Sequence, residues 1–285
     1  MYILDKALIK ILFLISLLLS TIYLQGQENT DSTSFIKPHH LIIGEATFYG
    51  ASMLILNEAW YADYPRSDFH WFNDNNEWLQ MDKIGHSYAT YQIAYQNSYI
   101  LQKTGMPKKK AMWISTGLSV FAISSIELFD GFSDEWGASP GDLLANSMGG
   151  LLYLSQELLW NEQKVRMKFN YLPSPYADKR PEALGSNYHE SLLKDYNGQT
   201  YWLSINLNKT FGTTFFPSWM ALAVGYGATG LLGGEANPEG FENITRHRQL
   251  FLSPDIDWQN IKTKRKGLRI LFRALNMVKI PLPAL

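Results

Sequence analysis

The sequence predicts a mainly α protein: a helical bundle with a smaller C-terminal region containing short strands. Three observations lead there. Between residues 39 and 164, long apolar stretches are separated by breaks marked with proline or glycine. Polar residues interrupt those stretches at three- and four-residue spacing, which is the helical period. After Lys164 prolines accumulate, and Tyr201, Leu203, Ile205 and Leu207 alternate with other residues as a strand requires.

The elements follow in order. Lys6 and Lys10 precede an apolar run from Ile11 to Leu19, and polar residues begin at Gln25, so residues 1–26 read as an export signal cleaved near Gly26; an uncleaved anchor helix is the alternative. Pro38 opens a helix from His39 to Tyr61, whose Gly44, Ala46, Gly50, Ala51 and Ser52 let a neighbour approach closely. Residues 62–80 form a loop mixing Phe69, His70, Trp71, Phe72 and Trp78 with Asp68, Asp74 and Glu77. Its rings are expected to tuck under the helices; stacking on a sugar or meeting a membrane surface are the alternatives. Met81 to Lys103 is the second helix, ended by Gly105-Met-Pro107. Ala111 to Asp130 is the most apolar helix, with no charge before Glu127. Ser139 is placed to cap a helix opened by Pro140 and running to about Trp160.

These elements define a bundle domain over residues 39–164. The mixed region, 165–285, starts with a linker holding Pro173, Pro175 and Pro181. It continues with a short helix from Asn187 to Asp195, a turn at Asn197-Gly198 and a strand from Gln199 to Leu207. A short buried helix within Phe216–Leu232, a strand over Gln249–Trp258 and an amphipathic helix over Gly267–Val278 complete it.

Composition excludes several function classes. A net charge of −1 provides no electrostatic footprint for nucleic acid. The absence of cysteine excludes disulfides, thiolate metal sites, a cysteine nucleophile and a lipidated cysteine. Charged residues make up 18%, below the roughly 25% of an average soluble domain. With 9 Trp and 16 Tyr, that balance suits contact with a lipid interface. A membrane or envelope component is therefore the expected partner. A simple four-span topology conflicts with the positive-inside rule. If the helix from His39 crosses inward, Lys108 to Lys110 emerge outside.

The chemistry-bearing residues form three groups. Asp82 and His86 share a helix face, with Lys83 and Gly85 between them. Glu127 and Asp130 end the most apolar helix. Asp142 and Asn146 lie one turn apart, followed by Gly149. Burying an unpartnered charge costs several kcal/mol, on the order of a domain's whole stability, so these groups are expected to find one another. Three readings stay open: a structural polar lock, a binding site for a small polar molecule or lipid headgroup, and a catalytic site using a metal or a His–carboxylate pair. No HExxH-type spacing or nucleophile motif is present, so no metal, cofactor or catalytic residue is assigned.

At these same residues the chain resembles a known family. Asp82-Lys83-x-x-His86, Glu127-x-x-Asp130 and Asp142-x-x-x-Asn146-x-x-Gly149 resemble the YfiM-like proteins, domain of unknown function 2279. The stretch from Phe69 to His86 is similar to the longer members found in Bacteroidetes-type bacteria, and Asp82-Lys83-x-x-His86 and Asp142-x-x-x-Asn146 are distantly similar to VanZ-like membrane proteins. The resemblance covers roughly residues 39–160 and implies an envelope location without an established activity. Some of the family are described as predicted lipoproteins, and the missing cysteine departs from that. The expectation is an exported envelope protein, periplasmic or membrane-associated, using the cluster non-enzymatically as a structural or binding site. The alternative is a metal-dependent or acid–base enzyme acting on a lipid or cell-wall substrate.

Overall fold

The computed structural model describes residues 38–56, 65–134 and 136–284. The export signal over 1–26 lies outside the described residues. The chain divides into two compact units, Met1–Asp74 with Ala89–Leu159, and Asn75–Tyr88 with Trp160–Leu285.

The first unit is helical. It contains α1 (Pro38–Leu56), most of α2 (Met81–Lys103), α3 (Lys108–Asp130) and α4 (Pro140–Trp160, to Leu159). Pro107 and Pro140 start helices because a helix's first N–H groups lack intrahelical partners. From Ala89 onward α2 is buried on nearly all sides. Ala89, Ile93, Ile100 and Leu101 form a core with Ala111 and Ile123 of α3. Tyr49 ties α1 to α3 by donating to the Ala122 carbonyl at 2.9 Å. Antiparallel packing of α3 on α4 is set by Lys108–Glu157 at 2.7 Å near one end and Asn146–Ser124 at 3.3 Å farther along. Gly150 makes that approach possible, since a Cβ there would stand 2.7 Å from Val120 Cγ2. Residues 66–72 run beside the α3–α4 connection: His70 N–H donates to Gly131 at 2.9 Å and Phe72 N–H to Ala138 at 2.9 Å.

The second unit corrects the fold class. The region beyond residue 164 is built on a four-stranded antiparallel sheet of order β1-β2-β3-β4, so the protein is α+β rather than mainly α with short strands. The strands are β1 (Val165–Tyr171), β2 (Gln199–Asn206), β3 (Met220–Thr229) and β4 (His247–Ile256). Short helices α5 (Pro181–Leu184), α6 (Tyr188–Lys194) and α7 (Leu207–Phe211) lie in the connections, and α8 (Lys266–Leu275) follows β4. Two sequence expectations are overturned. The apolar glycine-rich stretch expected as a helix is β3, because Ala221, Ala223, Gly225 and Gly227 occupy one side of a strand and Leu222, Val224 and Tyr226 the other. Val165–Tyr171, expected as linker, pairs with β2 along its whole length. Lys279 N–H donates to the Phe169 carbonyl at 2.9 Å, so the C-terminal segment covers the β1 edge.

Register assigns the faces. Met167, Leu203, Val224 and Leu252 form one cross-strand row, and Val165, Ile205, Leu222 and Pro254 form the next. These two rows are apolar. The opposite face carries Arg166, Lys168, Ser204, Asn206, Ser253 and Asp255, all buried.

Candidate functional site

Three consecutive left-handed residues aim the first turns of α2. Trp78, Leu79 and Gln80 have φ of 46°, 50° and 64°, a conformation costing roughly 1–2 kcal/mol per L-residue. Their surroundings hold them there. Trp78 N–H donates to Gly234 at 2.8 Å, the Tyr226 hydroxyl to the Leu79 carbonyl at 2.5 Å, and Arg248 to the Gln80 side chain at 2.8 Å. Strain that is so firmly over-determined marks a segment whose geometry matters.

Asp82 and His86 follow directly. His86 is 4% exposed, and its Nε2 lies 3.6 Å from the Asp82 carboxylate. The other Asp82 oxygen accepts the Tyr196 hydroxyl at 2.9 Å, which orients it. Tyr201 packs onto Gly85 so closely that a Cβ there would stand 2.8 Å from its hydroxyl oxygen. Burial pushes the Tyr201 phenol well up, and the Asp82 charge pushes it further, so it stays protonated and donates to Gln199 at 2.9 Å. Lys83 is half-buried on the same helix.

The other members lie in the first unit, where Ser139 organises them. Its N–H donates to Glu127 at 3.1 Å, and its hydroxyl accepts the Asp142 N–H at 3.1 Å as the α4 N-cap. The hydroxyl also bonds the Asp74 carboxylate at 2.5 Å. Asn146 bridges helices, accepting from Thr90 of α2 at 3.4 Å and donating to Ser124 of α3 at 3.3 Å. Glu127 and Asp142 are each 3% exposed and Asp130 is 5% exposed. Within each unit, then, the structure joins Asp82 to His86, and Glu127 and Asp142 to Ser139. Asp130 sits one turn beyond Glu127 on α3.

Sequence reading passed over Tyr196, Asp74, Thr90 and Ser124, whose partners are distant in sequence. It also passed over a buried ion network in the second unit. Lys168 lies 2.8 Å from Asp255 and Arg166 lies 3.5 Å from Asp257. Asn276 and Asn206 donate to Asp257 at 3.0 and 3.1 Å, and Lys279 donates to Ser253 at 3.1 Å. Burial raises the Asp257 carboxyl, but Arg166, then Lys209, Asn276 and Lys168, together outweigh it and hold the carboxyl below the ordinary range. The alternation Val165-Arg-Met-Lys-Phe169 was the available signal.

The loop rings differ from expectation as well. Phe69, Trp71 and Phe72 are exposed rather than tucked away, with Phe69 ring-to-ring at 5.3 Å from both Trp71 and the exposed Phe132.

Fold and candidate site together define an α+β protein with charged groups buried in both of its units. Residues 68–155 match the model of a family described as "Predicted periplasmic lipoprotein (DUF2279)", which spans both parts of the polar cluster. No curated protein and no solved structure matches the chain. The protein is accordingly located in the cell envelope. The match reaches the family as a whole and bears on neither the YfiM-like members nor the VanZ-like proteins. A lipoprotein's lipid is attached to a cysteine, and none of these 285 residues is one.

Proposed function

We propose that the protein is a non-enzymatic envelope component that binds a divalent first-row metal ion through Asp82 and His86. The donor set carries this reading. Asp82 and His86 offer a carboxylate and an imidazole one helical turn apart, and mixed nitrogen and oxygen donors suit zinc, manganese or iron better than magnesium or calcium. Tyr196, donating to Asp82, would hold that ligand in place.

Glu127 and Asn146 support a second role within the same cluster. Both are engaged in hydrogen bonds that link α3 with the start of α4 and α2 with α3 and α4. We assign them, with Asp130, to a polar lock that fixes helix register.

Metal analysis of the purified full chain after dialysis against manganese or zinc tests the binding reading. Close to one equivalent in the wild type, lost in His86→Ala and Asp82→Asn, is the expected result. Wild-type protein that retains no metal, or variants that retain as much as the wild type, would leave the whole cluster as a lock.

A further inference from the structure

The helical hairpin of the first unit is arranged inside out. Along α3 from Ala111 to Asp130, the exposed positions are Trp113, Gly117, Phe121 and Leu128. Along α4 from Gly141 to Leu154 they are Leu144, Met148 and Leu151. The polar residues of the same spans point the other way: Ser115, Thr116, Ser119, Glu127, Asp130, Asp142 and Asn146 are all buried. A water-facing helix shows the reverse pattern. Ionisable groups turned inward with apolar groups turned outward are the arrangement of helices in lipid.

The ends of the hairpin say what covers this stripe. At one end Trp113 follows Lys108, Lys109 and Lys110 by one turn. At the other, Phe69, Trp71 and Phe132 form an exposed ring cluster beside the α3–α4 connection. Aromatic residues at both limits of an apolar band are the mark of the two headgroup levels. The length agrees: Trp113 to Asp130 spans about 26 Å of helix axis at the α-helical rise, close to the ~30 Å hydrocarbon core of a bilayer. α3 is also the helix among the described residues that is long and apolar enough to cross a membrane.

We propose that the α3–α4 hairpin is embedded in a lipid bilayer, with Phe121, Leu128, Leu144, Met148 and Leu151 against the acyl chains. This inference stands independently of the metal reading. Because the chain has no cysteine, single substitutions give clean labelling sites. The full chain, reconstituted in phospholipid vesicles, is spin-labelled at Phe121→Cys, Met148→Cys and Lys109→Cys in separate variants. Collision with dissolved oxygen and with a water-soluble nickel chelate is then measured. Labels at 121 and 148 are expected to be relaxed by oxygen and shielded from nickel, with the order reversed at 109. Nickel reaching 121 and 148 as readily as 109 would overturn the proposal in favour of a water-facing surface. Exclusion of both reagents from 121 and 148 would overturn it in favour of a second copy or another protein.

Discussion

The two units bury charge in opposite settings. In the sheet, cations and carboxylates lie directly against one another, Lys168 on Asp255 and Arg166 on Asp257, and the Asn206 and Asn276 amides donate to Asp257. In the helical hairpin, Glu127 and Asp142 meet a serine cap, and the surface opposite them is a continuous apolar stripe. The first arrangement is self-neutralising and serves the stability of one layer. The second concentrates carboxylates inside an apolar shell, which is how a ligand site or a bilayer-embedded bundle is built. Buried charge alone therefore does not mark function.

The comparison breaks most readily at Lys168. Lys168→Ala leaves Asp255 buried beside a lost partner and should destabilise the second unit by about 3–5 kcal/mol, read by denaturant unfolding. The joint change Lys168→Met with Asp255→Leu should recover most of that loss, because an apolar pair of similar volume replaces the ion pair. If the double variant is as unstable as the single one, the network does more than neutralise itself.

Gly150→Val should come next. Its side chain would collide with Val120 and Thr116, forcing α3 and α4 apart, at about 1–3 kcal/mol for overpacking. Thermal unfolding in detergent would show the loss. Unchanged stability would mean the two helices are not closely packed at this point.

Gly85→Ala is a smaller test, at about 1 kcal/mol. Its cost should shrink in a Tyr201→Phe background, where the hydroxyl nearest the new methyl is gone. A double-mutant cycle without coupling would separate Tyr201 from the Asp82–His86 turn.

The smallest effect is in pH. The folded-state pKa of Asp257 is depressed, so it contributes stability that is present above the unfolded carboxyl value of about 3.9 and is lost as pH falls through its lower folded value. Stability of the second unit should decline below about pH 4, and Asp257→Asn should flatten that decline. An equally steep acid limb in the variant would place the titration elsewhere.

How much was legible varied with the range of the interactions. Met81–Lys103 and Pro140–Trp160 could be bounded from the sequence because apolar period, proline starts and glycine stops are local signals. The Ser139 cap was readable for the same reason. β3 was not, since Ala, Gly, Leu and Val in a short apolar run suit a buried helix as well as a strand. Only pairing with β2 and β4 decides between them. β1 was hidden by the prolines that follow it, and its cations find their partners only in Asp255 and Asp257, about ninety residues away in sequence.

By itself the sequence determined the helices of the first unit and the one-turn spacing of Asp82 with His86 and of Asp142 with Asn146 along their helices. All of these depend on residue identity and on spacing within a turn or two. The tertiary structure decided the sheet, the ion network, the left-handed turn that aims Asp82 and His86, and which side of α3 and α4 faces outward. Those features depend on contacts between residues far apart in the chain, where the energy of burying and pairing groups outweighs local preference.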